Sequence, residues 1–140
     1  MIDYLEIGRQ ILFTQPFSVF LGAQLDEFGP GSATLSLSLR PEFLQQYGVA
    51  HGGIISYLAD NALTFAGGSV LGMDVITSEY KINYLKKARG ERLVAQAKSA
   101  SASRRQVVCT CEIWALTGEE KTLCALAQGT IVSIGTETEH

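Results

Sequence analysis

The chain has 140 residues, 46% of them apolar and 18% charged, which suits one domain with a buried core. Fourteen acidic residues against eleven basic ones leave a formal net charge of −3, which argues against a broad surface for nucleic acid or an anionic membrane. The N-terminal segment carries Asp3 and Glu6 and no basic stretch followed by an apolar one, so no signal peptide is read and a cytoplasmic protein is expected.

Ile2, Leu5, Ile7, Ile11 and Leu12 recur at roughly helical spacing and predict a lead-in helix within residues 1–13, ended by Thr14-Gln15-Pro16. Phe17 to Phe20 leads through Leu21-Gly22 into a first strand, from about Ala23 to Phe28. Gly29-Pro30-Gly31 is a turn, and Ala33 to Leu39 alternates strictly, with Leu35, Leu37 and Leu39 on one face of a half-buried strand. Arg40-Pro41 breaks that strand, and a short connection delivers the chain to Tyr47-Gly48.

From Ile54 to Ala66 the apolar residues cover most of the helical wheel, which predicts a buried helix, with Gly67-Gly68 as its stop. Asp60 is the only formal charge between Gln45 and Met73, and a carboxylate there is costly unless it has a partner or a task. The stretch is long enough to span a bilayer. Asp60, the glycines at both ends and the lack of close Lys or Arg flanks favour a soluble helix instead.

Strands then follow one another: Val75 to Leu85, Leu93 to Ser101, Val107 to Leu116 and Thr122 to Ile134. Arg89-Gly90-Glu91, Ser101 to Arg105 and Thr117-Gly118-Glu119 are the turns, and residues 136–140 read as a frayed tail. The expectation is a single α+β domain over 1–140, with a curved antiparallel sheet wrapped around one long helix and an antiparallel meander after it. Cys109, Cys111 and Cys124 form no CxxC, and His51 and His140 are not spaced to complete a metal site. They read as buried, reduced thiols, with Cys109 and Cys111 on one face of a strand.

His51-Gly52-Gly53 opening a buried helix, Asp60 eight residues beyond Gly52, and Gln45, Gly48 and Thr77 in this element order resemble the hotdog-fold acyl-CoA thioesterases. The resemblance is to the phenylacetate-degradation and 4-hydroxybenzoyl-CoA type, and it runs from Phe20-Leu21-Gly22 to Gly129-Thr130. It implies a hotdog fold and hydrolysis of acyl-CoA to free acid and coenzyme A, with no cofactor beyond the coenzyme A of the substrate. It further implies that the Gly52 N–H polarises the thioester carbonyl and that Gln45 binds the carbonyl or holds water. Asp60 would act as general base or nucleophile, Thr77 would orient water, and His51 would brace the loop. Tyr84, Ser103, Arg104 and Arg105 are the implied coenzyme A contacts, although Lys87 and Ser103 stand where many members have proline and glycine.

Each residue has a plainer role beside this one. Asp60 fits a structural ion pair or a helix-packing hydrogen bond, Thr77 a β-branched strand position, Gln45 a loop amide, and Arg104-Arg105 a solvated turn. A non-catalytic acyl-CoA-binding module on the same fold is the alternative to a hydrolase. A dehydratase would need a His and acid pair, and His51 is the only internal histidine. Val49, Asn61, Leu63 and Phe65 are expected to line a pocket that admits aryl or aliphatic groups.

Helix geometry adds an expectation about assembly. At 1.5 Å per residue, Gly52 and Asp60 are about 12 Å apart along one helix, too far to share one carbonyl. An antiparallel second copy would set Gly52 of one chain against Asp60 of the other, with the two-fold axis near Ser56. A homodimer follows, or a dimer of dimers, with small-molecule acyl-CoA as partner and neither nucleic acid nor membrane.

Overall fold

The computed structural model describes residues 2–134. Asp3 caps α1 (Tyr4–Phe13), its carboxylate accepting from the Glu6 N–H at 3.1 Å. The lead-in helix therefore begins at Tyr4, while residues 136–140 lie outside the described residues. The sequence reading passes over a second helix, α2 (Pro16–Leu21). Its signals are nonetheless present: Pro16 in the first turn and Gly22 at the C-cap with φ 82°, a conformation that favours glycine.

The central helix, α3 (Gly52–Leu71), is longer than its expected stop allows. Gly67 and Gly68 are helical and buried, and the helix ends at Gly72, whose φ is 96° and whose N–H donates to the Gly68 carbonyl at 2.8 Å. The reason is packing. A Cβ on Gly67 would stand 2.6 Å from the Cβ of Ile131, so the missing side chain lets the last turns of α3 lie directly on the sheet.

Six antiparallel strands surround α3: β1 (Gln24–Gly29), β2 (Ser32–Ser38), β3 (Val75–Tyr84), β4 (Arg92–Ala102), β5 (Gln106–Thr117) and β6 (Glu120–Ser133). Their order in the sheet is β1-β2-β4-β5-β6-β3. The meander over β4, β5 and β6 is as expected, but β3 is not its first member. It pairs with β6 and forms the far edge, while β2 takes the place beside β4. The connection from β3 to β4 is pinned across the strand ends, with Leu85 N–H on the Cys124 carbonyl and Glu91 N–H on the Leu116 carbonyl, each at 2.8 Å.

The core lies between α3 and the concave face of the sheet, where Leu35, Leu58, Leu63, Phe65, Leu93, Ile113 and Ile131 are fully buried. Cys109 and Cys111 do share a face, and all three cysteines are free and buried. Burial pushes the thiols of Cys109 and Cys124 up to about 11 and that of Cys111 to about 12, with Glu112 adding to the last. Among the described residues, no helix is long and apolar enough to cross a membrane.

Candidate active site

Gly52, Ser56, Asp60 and Thr64 recur every four residues on α3 and so form one stripe along the helix. The edge strand β3 runs past this stripe and meets it residue by residue. The Tyr84 hydroxyl donates to the Gly52 carbonyl at 3.1 Å, Tyr80 and Ser56 are joined hydroxyl to hydroxyl, and the Thr77 hydroxyl donates to Asp60 Oδ1 at 2.7 Å. A bulge makes this possible. Between Thr77 and Glu79 the register against β6 shifts by one residue, so both Thr77 and Tyr80 turn toward the helix despite their odd spacing. Without it, strict alternation would send one of the two to the opposite face.

Asp60 is half-buried, and its Oδ1 is committed to Thr77. Thr64, absent from the sequence reading, belongs to the same cluster. Its hydroxyl lies 2.8 Å from both the Asp60 carbonyl oxygen and the Thr77 hydroxyl. Two hydroxyl hydrogens thus serve three contacts, and the Asp60 Oδ1 bond takes the Thr77 one when the carboxylate is ionised. Asp60 Oδ2 has no hydrogen-bond partner among the described residues, and the carboxylate borders a cavity of about 450 Å³. No ion pair engages Asp60 there, which removes one structural explanation of its charge, while the other, a hydrogen bond that packs α3 against a neighbouring element, is met at Oδ1 by Thr77.

The start of α3 is built by a cinched loop. Gln45 N–H donates to the Val49 carbonyl at 2.9 Å, Gly48 (φ 76°) closes back on Gln45, and His51 N–H donates to the Phe43 carbonyl at 2.9 Å. His51 is the N-cap of α3, its Nδ1 accepting from the Gly53 N–H at 2.8 Å. An accepting Nδ1 carries no proton, so in this arrangement the imidazole braces the turn. The Gly52–Gly53 peptide is held at both ends, its N–H by His51 and its carbonyl by Tyr84. The Gly52 N–H itself donates to no acceptor among the described residues. It points out of a helix N-terminus, where the partial positive charge favours an oxyanion.

The other expected site residues are not all gathered here. Gln45 sits half-buried in the loop before His51, and its side chain makes no hydrogen bond to the described residues. Ser103, Arg104 and Arg105 form an exposed turn between β4 and β5, and the Arg105 carbonyl accepts from Ser133 N–H at the end of β6. Tyr84 pairs with Ala125, eight residues back along β6, so Tyr84 and the arginines lie ~27 Å apart within one chain. Of the expected pocket residues, Val49, Leu63 and Phe65 are core, with at most 4% exposure, because their side of α3 and its entry loop faces the sheet. Asn61 alone of that set lines the cavity beside Asp60.

Residues 47–122 match the model of the thioesterase superfamily. A thioesterase family protein from Silicibacter pomeroyi is 31% identical and superimposes with a TM-score of 0.85, covering 89% of this chain and 93% of that one. A protein of Archaeoglobus fulgidus that carries a provisional esterase name is 34% identical over 115 residues, 81% of this chain and 72% of its own. A medium/long-chain acyl-CoA thioesterase of Escherichia coli is 25% identical over 141 residues, covering 89% of each chain. The curved six-stranded antiparallel sheet around one long helix is the hotdog architecture. This chain belongs to the thioesterase superfamily, a family of thioester-hydrolysing enzymes.

Proposed function

We propose that this protein hydrolyses acyl-CoA thioesters to a free acid and coenzyme A. The observation that carries this is the carboxylate of Asp60, fixed through Oδ1 by Thr77 and free at Oδ2, on the same helix stripe as the unpaired Gly52 N–H. The Gly52 N–H takes the thioester oxygen as it becomes an oxyanion, an interaction that strengthens toward the transition state. As a general base, Asp60 Oδ2 takes a proton from water while the water oxygen attacks the carbonyl carbon. The tetrahedral intermediate then collapses, the C–S bond breaks, and the thiolate leaves and is protonated. As a nucleophile, Oδ2 would attack the carbon itself and water would cleave the resulting anhydride.

The site takes its parts from two copies of the chain. Gly52 and Asp60 stand eight residues apart on α3, ~12 Å, so one carbonyl reaches both only if an antiparallel α3 lies alongside. Two features support such a homodimer. β3 is a ten-residue edge with no second neighbour among the described residues, an invitation to pair with another copy. Arg104 and Arg105 sit at the end of the sheet beneath the C-terminal turns of α3, and a two-fold partner would carry them to the Gly52 end. There their guanidinium groups suit coenzyme phosphates. A cytoplasmic location belongs to the same reading.

Thiol release from a panel of aryl and aliphatic acyl-CoAs tests the proposal. The protein's own thiols are buried and protonated at neutral pH, so they stay silent in that assay. Turnover with at least one acyl-CoA is expected. Tight acyl-CoA binding with no thiol release would instead identify a binding module.

A further inference from the structure

Phe17 lines two cavities. The first, about 450 Å³, is bordered by Asp60, Asn61, Thr64, Tyr57 and Gln15. The second, about 890 Å³, lies at the start of α3 and is walled by Phe20, Leu21, Phe43 and Ile54, with His51 and Arg40 also on its lining. Phe17 is the one residue common to both linings.

The position of this ring is not left to α2, a helix of six residues with little stability of its own. The Phe17 ring meets Tyr57 edge to face, with centroids 5.3 Å apart and planes at 86°. Tyr57 belongs to a polar lock between α2 and α3. Its hydroxyl lies 2.6 Å from Ser18 Oγ, which in turn donates to Gln15 Oε1 at 2.6 Å. Asn61 Nδ2 reaches Gln15 Oε1 at 3.1 Å, Ser18 Oγ at 3.2 Å and the Tyr57 hydroxyl at 3.1 Å. Ser18 is 1% exposed, so the hydroxyl at the centre of this lock is costly to leave unpaired. Phe17 is therefore held in place while 58% of its own surface stays open.

We infer that Phe17 sets the length of acyl group this enzyme accepts. The inference rests on the thioesterase reading above and adds the substrate's shape to it. A carbonyl within reach of Asp60 can send its acyl tail along the cavity that Asp60 borders, and Phe17 stands in the lining which that cavity shares with the second. Behind the ring lies a larger and mostly apolar space that only a longer aliphatic chain would use. With phenylalanine present, short acyl groups fill the first cavity and longer chains meet the ring.

The experiment is to measure kcat/KM by thiol release for straight-chain acyl-CoAs from acetyl to dodecanoyl, with the wild type, Phe17→Ala and Phe17→Trp. Alanine should move the optimum to longer chains, each newly accommodated methylene raising kcat/KM about fourfold. Tryptophan should move it to shorter ones. The substituted ring is largely exposed, and if the alanine variant does not fold, the tryptophan variant carries the test. An optimum unmoved in the folded variants, or moved the same way in both, overturns the role of Phe17 while leaving the hydrolase reading standing. No thiol release by the wild type with any acyl-CoA overturns that reading and this inference with it.

Discussion

Replacing Asp60 by asparagine keeps the size of the side chain and an oxygen for the Thr77 hydroxyl, and removes the charge and the basic Oδ2. Turnover should fall by several orders of magnitude with the melting temperature little changed, because an essential base or nucleophile typically contributes that much. Near-wild-type turnover by the folded variant would remove Asp60 from the chemistry. Gly52→Pro probes the other half of the site with unusual economy. Proline is welcome at the first position of a helix, and His51 before it already has φ −64° and ψ 138°, the extended conformation a following proline requires. A Cβ on Gly52 would meet Tyr84 at 3.4 Å, an ordinary contact. Only the N–H is lost, and kcat should drop about 10²–10³-fold, as for removal of one oxyanion donor. A folded proline variant with unchanged kcat would assign the oxyanion elsewhere. The sequence points to Asp60, because a lone charge in an apolar helix demands explanation, and to Thr77 through the motif. It does not point to Thr64, since a threonine one turn along a helix has nothing to mark it. Nor does it show that Tyr84 grips the Gly52 carbonyl, a contact that depends on which edge β3 occupies.

The same limit operates among the elements. The boundaries of β2 to β6 follow from alternation and turn residues, and α3 follows from its all-round apolar wheel. Sheet order does not, because β3 reaches the far edge by way of a loop whose local sequence says nothing about its destination. The glycines of α3 show why a local stop signal can mislead. Gly67 is a contact point rather than a terminus, and its meaning lies in Ile131, sixty-four residues on. Gly67→Ala tests that reading, since two effects oppose each other. Alanine improves helix propensity by about 1 kcal/mol, yet its Cβ would meet the Cβ, Cγ1 and Cγ2 of Ile131 at 2.6–2.8 Å. Those atoms are close to the β6 backbone and cannot swing aside, so overpacking of about 1–3 kcal/mol should prevail. The melting temperature should fall by several degrees, and a rise would show that α3 does not need this close approach.

At the scale of the whole molecule, all the parts of the proposed site lie in one chain, in an arrangement that one chain cannot use. The Gly52 N–H and the Asp60 carboxylate share a helix stripe but are too far apart to share a carbonyl, and Tyr84 and the arginine turn occupy opposite ends of β6. A two-fold copy along the open edge of β3 answers both separations at once. The most direct measurement mixes folded Gly52→Pro with folded Asp60→Asn, each severely impaired alone, and lets the subunits exchange before thiol release is followed. In each heterodimer one site carries both substitutions and the other carries neither, so about half of its sites should regain wild-type turnover. Activity should therefore appear as exchange proceeds and plateau when it is complete. No recovery despite demonstrated exchange, or full activity in a wild-type monomer, would contradict a site built from Gly52 of one copy and Asp60 of the other.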